Sequence, residues 1–198
     1  MKTTALSFFL LACVVSFANA QQRVYINENG ECSNNPNQEV TLQIEAAGIK
    51  EMMISNASSF IGAKWEPFKP NKNWKLTATE GRQSVYVKLK DSKGTETTVT
   101  DDILFDTQAP IPGLVRINNG ATETKYPDVT LGFDAKGADY MWISNSPKFE
   151  DGTTWELYSK NKEWTMGGIE GKFNVYVKFK DACGNESKVV SGRITIFK

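Results

Sequence analysis

The 198-residue sequence contains no histidine, and its 23 basic and 23 acidic residues cancel to a formal net charge of zero. Without imidazole there is no ordinary general base near neutral pH, no Ser-His or Cys-His nucleophile pair, and none of the commonest ligand for zinc and copper. A balanced charge gives no general attraction for nucleic acid or for an anionic membrane surface, so neither is expected as a partner. Cysteine is scarce, with three residues in all. Long apolar runs are scarcer still: after the first 20 residues no stretch approaches the ~20 apolar residues that a transmembrane helix needs. The acidic residues are scattered through turn-like segments, which argues against a glycosidase-type carboxylate pair in a deep cleft, and no enzyme activity is expected.

The one apolar run is at the start. Lys2, the run from Ala5 to Ala18 and the Ala18-Asn19-Ala20 triplet before Gln21 have the layout of a secretory signal peptide, so residues 1–20 are expected to be removed and the protein exported. A second reading stays open. Leu10-Leu11-Ala12-Cys13 resembles a lipobox, which would make Cys13 a lipidated N-terminus, although the run continues through Val14, Val15 and Phe17 where a lipoprotein usually turns polar.

Past that segment the sequence states one pattern twice. Val40, Leu42, Ile44 and Gly48 recur as Val129, Leu131, Phe133 and Gly137 at an offset of 89, as do Ile54-Ser55-Asn56 and Phe60 in Ile143-Ser144-Asn145 and Phe149. After a one-residue insertion, Trp65, Trp74, Glu80, Gly81 and Tyr86 recur as Trp155, Trp164, Glu170, Gly171 and Tyr176 at an offset of 90. A period of that length fits two domains with their own cores rather than a solenoid. The boundaries read as module 1 over 21–106, a linker over 107–113 stiffened by Pro110 and Pro112, and module 2 over 114–198.

Within each copy the alternation is that of short, half-buried strands. Val85, Val87 and Leu89 oppose Tyr86, Lys88 and Lys90; Val175, Val177 and Phe179 oppose Tyr176, Lys178 and Lys180. Seven strands are expected in module 1: 23–27, 39–45, 49–55, 64–68, 73–78, 83–90 and 97–105. Seven more are expected in module 2: 115–118, 128–134, 138–144, 154–158, 163–166, 173–180 and 188–197. With turns every 8 to 12 residues and no helix, this predicts an all-β chain of two immunoglobulin-like sandwiches. Leu42 and Val87, and Leu131 and Val177, stand where antibody domains carry an inter-sheet disulfide, which favours the fibronectin III-like version.

The string I-S-N, F, W-E, K-x-W, E-G-x-x-x-V-Y-V-K-x-K-D-x-x-G, closing on Asp106-Thr107, resembles the immunoglobulin-like modules repeated in bacterial cell-surface and secreted proteins. That resemblance implies a non-catalytic spacer, stalk or adhesive role. The second copy departs from the pattern in closing at Lys198, with no anchor or sorting tail expected.

Several residues remain as candidates. Cys32 and Cys183 lie in loops that the fold should bring to the junction; they either form a disulfide clamping the modules or stay as two distant thiols. Trp65, Trp74, Trp155 and Trp164 are read as core fillers. Trp142, which replaces Met53 and follows Tyr140, is read either as part of a sugar-binding surface or as edge packing. The Tyr86-Lys88-Lys90 and Tyr176-Lys178-Lys180 stripes could meet an acidic polysaccharide, or form a solvated face that discourages edge pairing. Asp101, Asp102, Asp106 and Asp181 leave calcium at the junction as the one cofactor open. The expected partner is an envelope or surface protein, with polysaccharide second. Asn56-Ala57-Ser58 and Asn185-Glu186-Ser187 match the glycosylation acceptor pattern.

Overall fold

A computed structural model describes residues 21–198; the expected signal segment and Cys13 lie outside the described residues. Module 1 contains β1 (Arg23–Ile26), β2 (Cys32–Ser33), β3 (Glu39–Glu45), β4 (Ile49–Ser55), β5 (Glu66–Pro67), β6 (Asn71–Lys75), β7 (Gly81–Asp91) and β8 (Glu96–Phe105). Between the modules and in the second lie β9 (Ile111–Pro112), β10 (Arg116–Ile117), β11 (Glu123–Thr124), β12 (Asp128–Gly132), β13 (Ala135–Lys136), β14 (Tyr140–Ser144), β15 (Glu156–Leu157), β16 (Asn161–Thr165), β17 (Gly171–Lys180) and β18 (Val190–Ile196). Among the described residues the only helical turn is a short 3-10 turn at Asn118–Gly120.

Each module packs a three-stranded sheet on a five-stranded one. The orders are β1-β3-β6 against β2-β8-β7-β4-β5, then β10-β12-β16 against β11-β18-β17-β14-β15. This is the fibronectin III-like sandwich that the alternation predicts, with β7 and β17 at the centre of their sheets. Period-two burial is regular along β7, where Val85, Val87 and Leu89 are fully inside. The cores are separate: Leu42, Val87 and Leu89 belong to one cluster, Leu131, Val177 and Phe179 to the other. The positions that carry a disulfide in antibody domains are thus filled with aliphatic side chains, each worth about 1.5–3 kcal/mol on full burial.

One feature of each first strand is not legible from alternation. The chain leaves β1, turns through Asn27, Glu28 and Asn29, all at positive φ, and re-enters as β2, parallel to β8 in the opposite sheet. Asn118 and Asn119 make the same left-handed turn before β11, which runs parallel to β18. Asparagine tolerates this region better than most residues, and both leading side chains consolidate the turn. Asn27 Oδ1 accepts from the Thr41 amide and Asn118 Oδ1 from the Thr130 amide, each at 2.9 Å. Sequence reading also makes the fourth strands too long: 64–68 and 154–158 reduce to the two-residue edge pieces β5 and β15.

Candidate functional site: the module junction and the aromatic–lysine face

The repeated motif proves to be a set of mutually bonded residues. Asn56 of the first I-S-N accepts from Trp74 Nε1 at 2.6 Å and donates to the Lys75 carbonyl at 2.9 Å. Asn145 does the same for Trp164 and Thr165, at 2.9 and 3.1 Å. The glutamate of each W-E receives the lysine of each K-x-W: Lys72 to Glu66 at 2.6 Å, Lys162 to Glu156 at 2.5 Å. Trp74 and Trp164 pack against the cores, as the sequence reading expects.

Trp65 and Trp155 do not. They sit half-buried on the outer face of the five-stranded sheets, where the Lys90 ammonium lies 3.7 Å from the Trp65 ring centroid and the Lys180 ammonium 4.4 Å from that of Trp155. This corrects two readings together. These tryptophans are not core fillers, and the lysine stripes are not simply solvated, because the aliphatic stems lie along aromatic surface while the ammonium groups meet ring faces. Lys178 is well enclosed, with 19% of its side chain exposed. It lies 4.7 Å from the Trp142 ring, 5.0 Å from Trp155 and 5.4 Å from Phe149, and pairs with Glu186 at 2.8 Å.

The structure therefore gathers Tyr140, Trp142 and Lys178 into one face, with Tyr140 joined through Lys180 at 5.3 Å. Trp142 meets Phe149 and Trp155 edge-on and donates its indole N–H to Thr153 Oγ1 at 2.9 Å. Tyr176 stands apart beside Asn174. In module 1, Tyr86 and Lys88 both meet Phe60, a thinner version of the face because Met53 replaces Trp142. Phe149 and Trp155 are members that sequence reading misses, although their F and W spacing is in the repeat, and Lys180 joins them from the predicted stripe.

Beside this face, Asp151 accepts from the Asn145 amide at 2.7 Å and from Thr153 Oγ1 at 2.8 Å. Partial burial works to raise its carboxyl, but those bonds and the Ser144 hydroxyl outweigh it and hold the group below its ordinary range. Asp91 is likewise lowered, chiefly by the amides of Thr95 and Lys93. A depressed folded-state carboxyl contributes stability above its unfolded value and loses it as pH falls through the folded one. The melting temperature should therefore drop on acidification below about pH 4, and Asp151→Asn should flatten that slope. An unchanged slope in an acid titration followed by circular dichroism would contradict the role of Asp151.

At the other candidate site Cys32 and Cys183 form a disulfide across the modules, with Cα atoms 5.6 Å apart and a separation of 151 positions in sequence. The open alternative of two distant thiols is thereby removed. Three further contacts fix the same junction. Asn185 Nδ2 donates to the Asp106 carbonyl and to Asp181 Oδ2, both at 2.9 Å. Glu80 accepts from the Thr107 amide at 3.1 Å and its hydroxyl at 2.5 Å. The linker then joins module 2 as β9, paired with β13, and the Gly113 amide donates to the Asp134 carbonyl at 2.6 Å. A Cβ at position 113 would overlap that carbonyl, so glycine is required there.

The junction carboxylates do not converge on a shared point. Asp101 accepts from the Ile26 amide, Asp102 pairs with Arg82, Asp106 accepts from the Gln108 amide and Asp181 from Asn185. Among the described residues no group of three or more acidic, histidine or cysteine side chains could hold a metal ion. The acceptor-pattern asparagines are occupied as well, Asn56 by Trp74 and Asn185 by the junction.

No protein-family model matches the sequence, and no curated protein matches it. Solved structures do. The fibronectin(III)-like modules of Clostridium thermocellum CbhA superpose with a TM-score of 0.53 at 12% identity, over 87% of this chain and 93% of that one. A bacterial ice-binding adhesin reaches 0.46 at 12% identity, over 89% of this chain and 63% of that one, and murine CEACAM1b 0.44 at 12%, over 89% and 99%. At this identity the first comparison shows the fold, and it shows it for the tandem pair: two fibronectin III-like sandwiches in one chain.

Proposed function

We propose that the chain is an exported, non-enzymatic module pair that acts as a stiff structural and protein-binding element at the cell envelope. The observation that carries this is the junction, where a disulfide, a side-chain bond and a pinned linker hold two self-sufficient sandwiches in one orientation. Such a joint serves display across a distance rather than closure around a substrate. The disulfide favours an oxidising compartment, in keeping with the signal-peptide pattern. Among the described residues no helix is long and apolar enough to cross a membrane. The fold shared with the CbhA modules supports a non-catalytic role, and the chain's chemistry agrees, since the repeated motif residues bond to one another. Fractionation followed by photo-crosslinking from exposed positions of both modules tests the reading. It expects an exported protein, oxidised at Cys32 and Cys183, that repeatedly cross-links to one envelope protein. A cytoplasmic, reduced protein without specific cross-links would overturn it.

A second reading, polysaccharide binding, rests on the Trp142 face of module 2. The ring faces a pyranose would need are already met by Lys178, so an anionic sugar that engages the ammonium is the version the geometry favours. A glycan array should then return acidic polysaccharides whose binding falls at least about tenfold in Trp142→Ala; retention of binding in that variant would remove the face from consideration.

A further inference from the structure

Both halves of the inner junction recur at the two outer ends of the described module pair. On the donor side, the turn at Asp181–Asn185 is held by the Gly184 amide on the Asp181 carbonyl at 3.2 Å and the Asn185 amide on Asp181 Oδ1 at 2.9 Å. The turn at Asp91–Thr95 has the same two bonds, from Gly94 and Thr95, at 3.2 and 2.9 Å. Lys93 thus stands where module 2 has Cys183. Asp181 is 7% exposed and Cys183 and Asn185 half-buried under the contact, whereas their counterparts Asp91, Lys93 and Thr95 are half-buried, exposed and exposed.

On the receiving side, Cys32–Ser33 runs parallel to Leu104–Phe105, and Glu123–Thr124 runs parallel to Thr195–Ile196. The register is anchored identically, with Gly81 opposite Phe105 and Gly171 opposite Ile196. The chain returns the same way in each copy, through the Asp106 amide on Ser33 and the Phe197 amide on Thr124. Glu123 therefore stands where module 1 has Cys32. The inner cysteine pair is replaced at the outer ends by lysine and glutamate, both exposed and neither ion-paired among the described residues. A Lys–Glu pair suits facing backbones at the spacing the cysteines show.

The receiving end is also more apolar than its inner twin. Tyr126, Ile169 and Phe197 are 69%, 70% and 37% exposed there, at the places taken in module 1 by Asn35, Thr79 and Asp106.

We infer that these ends form a docking surface for a second copy of this chain, in which the Lys93 turn of one molecule seats on the Glu123 end of the next and repeats the geometry of the inner junction. The two patches differ and lie at opposite ends, so the contact is head-to-tail and does not close; copies add into an open string. With neither a disulfide nor a tether, each joint is weaker than the inner one and responds to concentration and salt. The inference stands apart from the identity of any envelope partner.

Sedimentation velocity on the purified protein over a concentration series tests it. The wild type should form larger species as concentration rises and lose them as salt is added. K93E and E123K should each weaken association at least about tenfold, since each places like charges in the joint. Their equimolar mixture should associate again, because each variant then meets the opposite charge on the other at both ends. Unchanged melting temperatures confirm that both variants fold. A wild type that stays monomeric at every concentration, leaving the end to a different protein, or a mixture no larger than its components, would overturn the inference.

Discussion

Phe179→Ala should destabilise module 2 by about 3–5 kcal/mol, the cost of emptying a large aromatic site in a packed core. Phe179 is 1% exposed and meets Phe133 and Tyr158 edge-on, at centroid distances of 6.1 and 5.9 Å. The hole cannot be filled cheaply, because Tyr158 is held by the Ala135 amide on its hydroxyl at 3.2 Å. For a domain of this size each kcal/mol shifts the melting temperature by roughly 4–8 °C. Tryptophan emission reports the effect by module, since Trp142, Trp155 and Trp164 lie in module 2 and Trp65 and Trp74 in module 1. With two separate cores, the module 2 transition should fall far below that of module 1. A single joint transition, shifted as one, would show that the sandwiches do not fold as independent units.

The second large effect belongs to the clamp. Replacing Cys32 and Cys183 by serine should lower the denaturant midpoint while leaving both sandwiches folded, because neither core contains a cysteine. In the chain-entropy picture a ring closed over 151 residues contributes about 5 kcal/mol. The loss should fall on whichever module unfolds first, since the constraint acts on the unfolded chain between the two sulfurs. Equilibrium unfolding of the variant beside the oxidised wild type measures it. Equal midpoints would mean that Asn185, Glu80 and the β9–β13 pair already hold the junction without the disulfide.

The fold was legible because the signals that determine it are local and repeated. Alternation at Val85–Lys90 and Val175–Lys180 sets the central strands, and Leu42, Val87, Leu131 and Val177 all fall inside as their spacing requires. The sheet switch from β1 to β2 was hidden, because it rests on a left-handed turn and a two-residue parallel pairing whose partner is distant in sequence. Of the junction, topology gave the location of Cys32 and Cys183 but not the bond, which depends on distances no sequence states. The aromatic–lysine face was half visible. A tryptophan just before a short edge strand reads like one in a core, and only the register of Tyr140 opposite Lys180 and Trp142 opposite Lys178 brings Lys178 and Lys180 against the rings. The partners of the junction carboxylates were not legible either: four acids near one hinge bond to four different groups, a division that their turn-like sequence settings do not state.

Held at Cys32 and Cys183, the two sandwiches should move as one stiff body, which residual dipolar couplings of the oxidised protein can measure. A single alignment tensor should fit the backbone amides of both modules, and reduction should split it into two of different magnitude or orientation. Two distinct tensors in the oxidised protein would contradict the account.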